Sequence, residues 1–92
     1  MKYSVFYPTK ISALPDIFND NIDVCVTLEN GKNYTLVFIT PTNLETMMKR
    51  DGLSYIDPHF KFIVVEQLSE NIIDTVIRNL VEHEELLREY GL

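Results

Sequence analysis

The run Ile22-Asp23-Val24-Cys25-Val26-Thr27-Leu28-Glu29, continued by Asn30-Gly31-Lys32-Asn33 and Tyr34-Thr35-Leu36-Val37-Phe38-Ile39, decides the fold. Ile22, Val24, Val26 and Leu28 alternate with Asp23, Cys25, Thr27 and Glu29, the period of a strand that buries one face. Past Asn30-Gly31 the alternation resumes, with Tyr34, Leu36 and Phe38 against Thr35, Val37 and Ile39. Asn-Gly accepts the two positive φ angles of a type I′ turn, so the sequence predicts a β-hairpin closed at that dipeptide.

Toward the amino end, Tyr3, Val5 and Tyr7 alternate with Ser4 and Phe6 until Pro8 removes a ladder donor, which predicts a strand over residues 2–7. Residues 9–21 hold Pro15, Asp16, Asn19 and Asp20 with no sustained apolar period, and read as a connection with at most one helical turn. Toward the carboxyl end, Thr42 and Glu45 have capping-box spacing and Gly52 suits a helix stop, which predicts a short helix over 43–50 acting as a lid on the sheet. Asp57-Pro58 marks a loop. The unbroken run Phe62-Ile63-Val64-Val65 predicts a strand within 60–67, buried on both faces and central in the sheet. Ser69 and Glu70 open a last helix whose stripe Ile72, Ile73, Val76, Ile77, Leu80 and Val81 must be covered, with a helical extension to Gly91 reaching beyond the core. The order β, ββ, α, β, α defines an α+β two-layer sandwich. It has about four strands in an antiparallel or mixed sheet, a β-hairpin, a short helix and a long C-terminal helix.

With 92 residues, one domain over 1–92 is expected. A chain this short buries only about 60 to 65 % of its unfolded surface, so an oligomer or a partner would add welcome support. Ten aromatics and a hydrophobic fraction of 46 % suffice for a packed core. The formal charge of −6 repels a phosphate backbone and excludes nonspecific nucleic-acid binding, while it suits a basic protein. The eight basic residues are dispersed, without a stripe of interleaved aromatics. The single cysteine, Cys25, forbids an internal disulfide and fits a reducing cytoplasm. No signal peptide opens the chain, and no apolar run reaches the roughly 20 residues that would span a membrane. Asn33-Tyr34-Thr35 matches a glycosylation sequon, which carries no meaning without a secretory signal.

No catalytic apparatus is expected. His59 lies in a loop and His83 in the acidic tail, neither at metal-ligand spacing from the other. Cys25 sits mid-strand between valines, as a small apolar residue would. Each of the three glycines, Gly31, Gly52 and Gly91, is explained by a turn or a helix end, so no phosphate-cradling loop is present and no cofactor is expected. The carboxylates Asp51, Asp57 and Glu66 are the one set that could meet as a metal or acid/base site, which makes a minor carboxylate enzyme an alternative reading. The feature that points beyond solubility is the segment 82–90. There Glu82, Glu84, Glu85 and Glu89 accompany Leu86, Leu87 and Tyr90, the mixture of a partner-binding helix face. Glu82, Glu84, Glu85, Leu86, Glu89 and Tyr90 are accordingly the candidate partner-binding residues.

The stretch Asp23 to Tyr34, followed by Phe38, Asn43-Leu44, Ile63-Val64-Val65-Glu66 and Leu68-Ser69, resembles a group of small, uncharacterised bacterial α+β proteins. Some small acidic domains of that kind serve as immunity partners of polymorphic toxins. The resemblance spans residues 23–81 and implies a noncatalytic cytoplasmic inhibitor that binds a basic toxin. The residues themselves leave a second reading open, a homodimeric accessory protein paired through its last helix or a sheet edge.

Overall fold

The computed structural model describes residues 2–91. Four strands, β1 (Tyr3–Phe6), β2 (Asn21–Leu28), β3 (Asn33–Ile39) and β4 (Phe62–Val64), form one sheet in the order β1-β2-β3-β4. β1–β2 and β2–β3 are antiparallel and β3–β4 is parallel, so the sheet is mixed. The helices are α1 (Pro41–Asp51), α2 (Glu70–Glu82) and α3 (Glu84–Tyr90), and a single 3₁₀ turn occupies Ile11–Ala13. This is the α+β architecture read from the sequence.

The alternating pattern places Ile22, Val24, Val26 and Leu28 of β2 and Leu36 and Phe38 of β3 on one face. There they meet Ile73, Ile77, Leu80 and Val81 of α2 and Leu87 of α3. Val24, Val26, Leu36, Phe38, Ile73, Ile77 and Leu87 are completely buried. Each such side chain contributes about 1.5 to 3 kcal/mol of transfer free energy. The shortest dimension of the molecule, 18 Å, is that of a helix layer on a sheet.

Several local expectations are corrected. The hairpin does not turn through type I′. Asn30 keeps a negative φ and only Gly31, at +89°, is left-handed. Gly31 N donates to Leu28 O and Leu28 N to Lys32 O, both at 2.9 Å, leaving a three-residue loop that ends in a left-handed glycine. α1 begins two residues before the expected start, at Pro41. Its cap is the buried Thr40, whose hydroxyl accepts from Asn43 N at 3.3 Å. α1 buries none of its residues, so it is not a lid over the sheet centre.

β4 is not central. It is a three-residue edge strand whose sole neighbour is β3. Its apolar run reflects two different apolar surroundings, one on each face, rather than two-sided burial. The final helix is not continuous either: His83, at φ −125° and ψ 76°, separates α2 from α3. An unbroken helix over residues 70–90 would be about 31 Å long, against roughly 27 Å for the eight-residue β2. The break turns α3 back against β3, where Leu87 enters the core and Tyr90 packs at its margin.

Candidate functional site

The expected partner-binding residues divide in two. Glu82 closes α2, and Glu85, Leu86 and Glu89 face solvent from α3, with Leu86 41 % exposed. Glu84 instead leans toward the hairpin, its Oε1 3.7 Å from Lys32 Nζ. Tyr90 is half-buried against the core. The helical layer is nonetheless where the charge resides. From Glu66 onward seven carboxylates (Glu66, Glu70, Asp74, Glu82, Glu84, Glu85 and Glu89) stand against Arg78 and Arg88 alone, a local excess of five negative charges. Glu70, Asp74, Glu82, Glu85 and Glu89 are exposed and form no ion pair among the described residues.

At the end of this layer Tyr7 packs its ring against the core while its hydroxyl, enclosed, makes no hydrogen bond to the described residues. Burial first, then the charges of Asp74 and Glu70, pushes its phenol up to about 12.

A second feature lies on the opposite face of the sheet and was not anticipated. By alternation, Phe62 and Val64 point away from α2, on the same side as Ile39, which is fully buried yet outside the main core cluster. Leu44 of α1 and Ile56 of the following loop line a groove with these two β4 residues. The groove continues into a depression of about 650 Å³ beside Met47, Leu53, Tyr55 and Phe60. The rings of Phe60 and Phe62 stack there, 5.8 Å apart and inclined by 9°. Leu53, Tyr55 (69 %), Phe60 (63 %) and Val64 (52 %) are four of the seven large apolar side chains that the described residues leave exposed. These side chains form a contiguous apolar patch rather than scattered apolar atoms.

Of the three carboxylates read as a candidate metal or acid/base set, Asp51 and Asp57 line this depression and Glu66 does not. Each of the two is engaged by its own neighbour. Arg50 Nε and Nη2 donate to Asp51 at 3.0 and 3.2 Å, which holds that carboxyl below the usual range. Asp57 Oδ1 accepts from His59 N at 2.9 Å and contacts His59 Nδ1 at 2.7 Å; the backbone bond, then the ring, lowers its pKa. Among the described residues no group of three or more His, Cys, Asp or Glu converges in metal-binding geometry. Cys25 lies half-buried on this face with Sγ 3.9 Å from Thr35 Oγ1, and His83 Nδ1 sits 2.9 Å from Asn79 O.

On the helical side of β4 a shallower hollow of about 390 Å³ is lined by Val76 and Leu80 of α2, Tyr90 of α3 and the β4 residues themselves. β4 is therefore flanked by an apolar depression on each face. The sequence signal for this is the apolar content of residues 53–64, of which the stretch before Phe60 reads as a loop and the stretch from Phe60 as a buried strand.

No helix among the described residues is long and apolar enough to cross a membrane. No family model, curated protein or solved structure matches the chain.

Proposed function

We propose that this protein is a noncatalytic protein-binding module, of the kind that inhibits a basic toxin in the cytoplasm. The observation that carries the reading is the helical layer, on which Glu70, Asp74, Glu82, Glu85 and Glu89 stand exposed, with no ion pair among the described residues. Their mutual repulsion weakens the fold slightly, and a cationic surface would relieve it while the long-range field accelerates encounter. The apolar surface around β4 supports the same reading, because affinity in such complexes comes mainly from a desolvated apolar centre rather than from charged rims.

Native pull-down followed by mass spectrometry, with the triple variant Glu82→Lys/Glu85→Lys/Glu89→Lys as a control, tests the reading. A basic protein should be retained by the wild type at low and moderate salt. Its association rate with the variant should fall at least tenfold at low ionic strength, with the circular dichroism spectrum unchanged. Retention of no basic protein, or equal rates for both chains, overturns the reading.

A homodimer is the second reading, and the free β4 edge favours it. Light scattering across a range of concentrations decides it: a concentration-independent monomer removes it.

A further inference from the structure

The free edge of β4 carries an arrangement that the acidic layer does not explain. Val65 N donates to Ile39 O at 2.9 Å, and Val64 is in register with Ile39. The alternation of a parallel ladder then turns the backbone N–H and C=O of Phe62 and Val64 away from β3, on the side where no other strand of the sheet lies. On one face of that edge lies the groove of Leu44, Ile56 and Phe60, and on the other the hollow of Val76, Leu80 and Tyr90. An added strand needs these two things together: unpaired main-chain groups to extend the ladder, and pockets on both faces for side chains that alternate.

We infer that β4 accepts an extended segment of a basic protein as a fifth strand, with its side chains entering the two hollows in turn and Lys or Arg flanking its apolar centre. The inference rests on the protein-binding reading and names where and how the partner docks. Charge complementarity selects the occupant. Asp57 lines the groove, and Glu66 lies two residues beyond the end of β4, against Lys61 one residue before its start. A second copy of this chain would bring the same −6 charge to the edge, whereas a basic segment is drawn to it. The short register limits the strand to three or four residues on β4, so specificity comes from the pockets rather than from a long ladder.

A phage-displayed library of linear decapeptides, selected on the full chain, supplies the probe. The peptides recovered should carry three or four consecutive apolar residues between Lys or Arg flanks, and the synthetic form of the best one should shift the amide resonances of residues 62–64. Val64→Pro removes a donor that β3 does not use, so the fold tolerates it while the added ladder does not. Binding of the synthetic peptide should weaken at least tenfold with Val64→Pro, and likewise with Val64→Lys should the proline lower the melting temperature.

Recovery of no peptide, or of peptides that bind Val64→Pro and Val64→Lys as tightly as the wild type, overturns strand addition. A dimer of the free protein that Val64→Pro dissociates also overturns it, by giving the edge to a second copy. None of these outcomes touches the rate loss of the charge-reversed triple variant, so failure of the strand mechanism is told apart from failure of the protein-binding reading.

Discussion

Replacing Leu87 with alanine separates a docked α3 from a helical arm projecting past the core. Leu87 is fully buried among α2 and the sheet, whereas its neighbour Leu86 is 41 % exposed on the same helix. Truncating a buried leucine costs its transfer free energy plus the cavity left behind, about 2 to 5 kcal/mol in total. The same change at an exposed position stays within roughly 0.5 kcal/mol. For a domain of this size each kcal/mol moves the melting temperature by about 4 to 8 °C, so a 3 kcal/mol loss at Leu87 means a drop of 12 to 24 °C. Domains hold only about 5 to 15 kcal/mol in all, so Leu87→Ala removes a substantial share of the fold's stability. Urea titration and thermal melts followed by far-ultraviolet circular dichroism read both variants. Equal stabilities for Leu86→Ala and Leu87→Ala would refute the claim that the break at His83 serves to bring α3 into the core.

Tyr7 gives a prediction at high pH. Its phenol is pushed up to about 12, so the unfolded chain releases this proton first, and stability should fall as the pH climbs from the ordinary tyrosine value toward 12. Tyr7→Phe should abolish that alkaline loss. It should also leave neutral-pH stability unchanged or raise it by about 1 kcal/mol, since it deletes an enclosed hydroxyl that has no partner among the described residues; a clear destabilisation refutes the assignment. At low pH the loop before β4 should respond. The Asp57 carboxyl is depressed by its bonds from His59, so the stabilisation is present above the ordinary Asp range and is lost as pH falls through and below it. The His59 amide resonance should shift over that window in the wild type and stay still in Asp57→Ala.

The elements that repeat a simple period were legible in the sequence. β2, β3 and α2 each place apolar residues at the interval their backbone dictates, and the core they build is the one expected. What escaped depended on geometry that a period does not encode. Phe62-Ile63-Val64 has the composition of a doubly buried strand, and whether it lies at the centre or the edge is decided by which strands pair with it. The break at His83 was hidden because Leu87 and Tyr90 fit both a continuing helix and a returning one. The turn at Asn30-Gly31 closed one residue longer than the dipeptide suggests, because Glu29 and Asn30 stay at negative φ and Gly31 alone takes the left-handed conformation. Of the candidate site, the acidic character of the carboxyl-terminal segment could be read directly, but the orientation of Glu84 toward Lys32 and of Tyr90 into the core could not. The apolar hollows beside β4 are assembled from α1 and the loop after it on one face and from α2 and α3 on the other, a meeting that no local period encodes.

The separation of an acidic layer from an apolar edge also governs how the molecule behaves in bulk. An uncovered edge is the part of a β protein from which stacking into larger assemblies begins. In this chain a field of −6 keeps neighbouring molecules apart at neutral pH. Near the isoelectric point of about 4.7 that field vanishes while the hydrophobic rim does not, so the repulsion that opposes association is lost there. The charge of one surface thus opposes the stacking that the other, apolar, surface would favour.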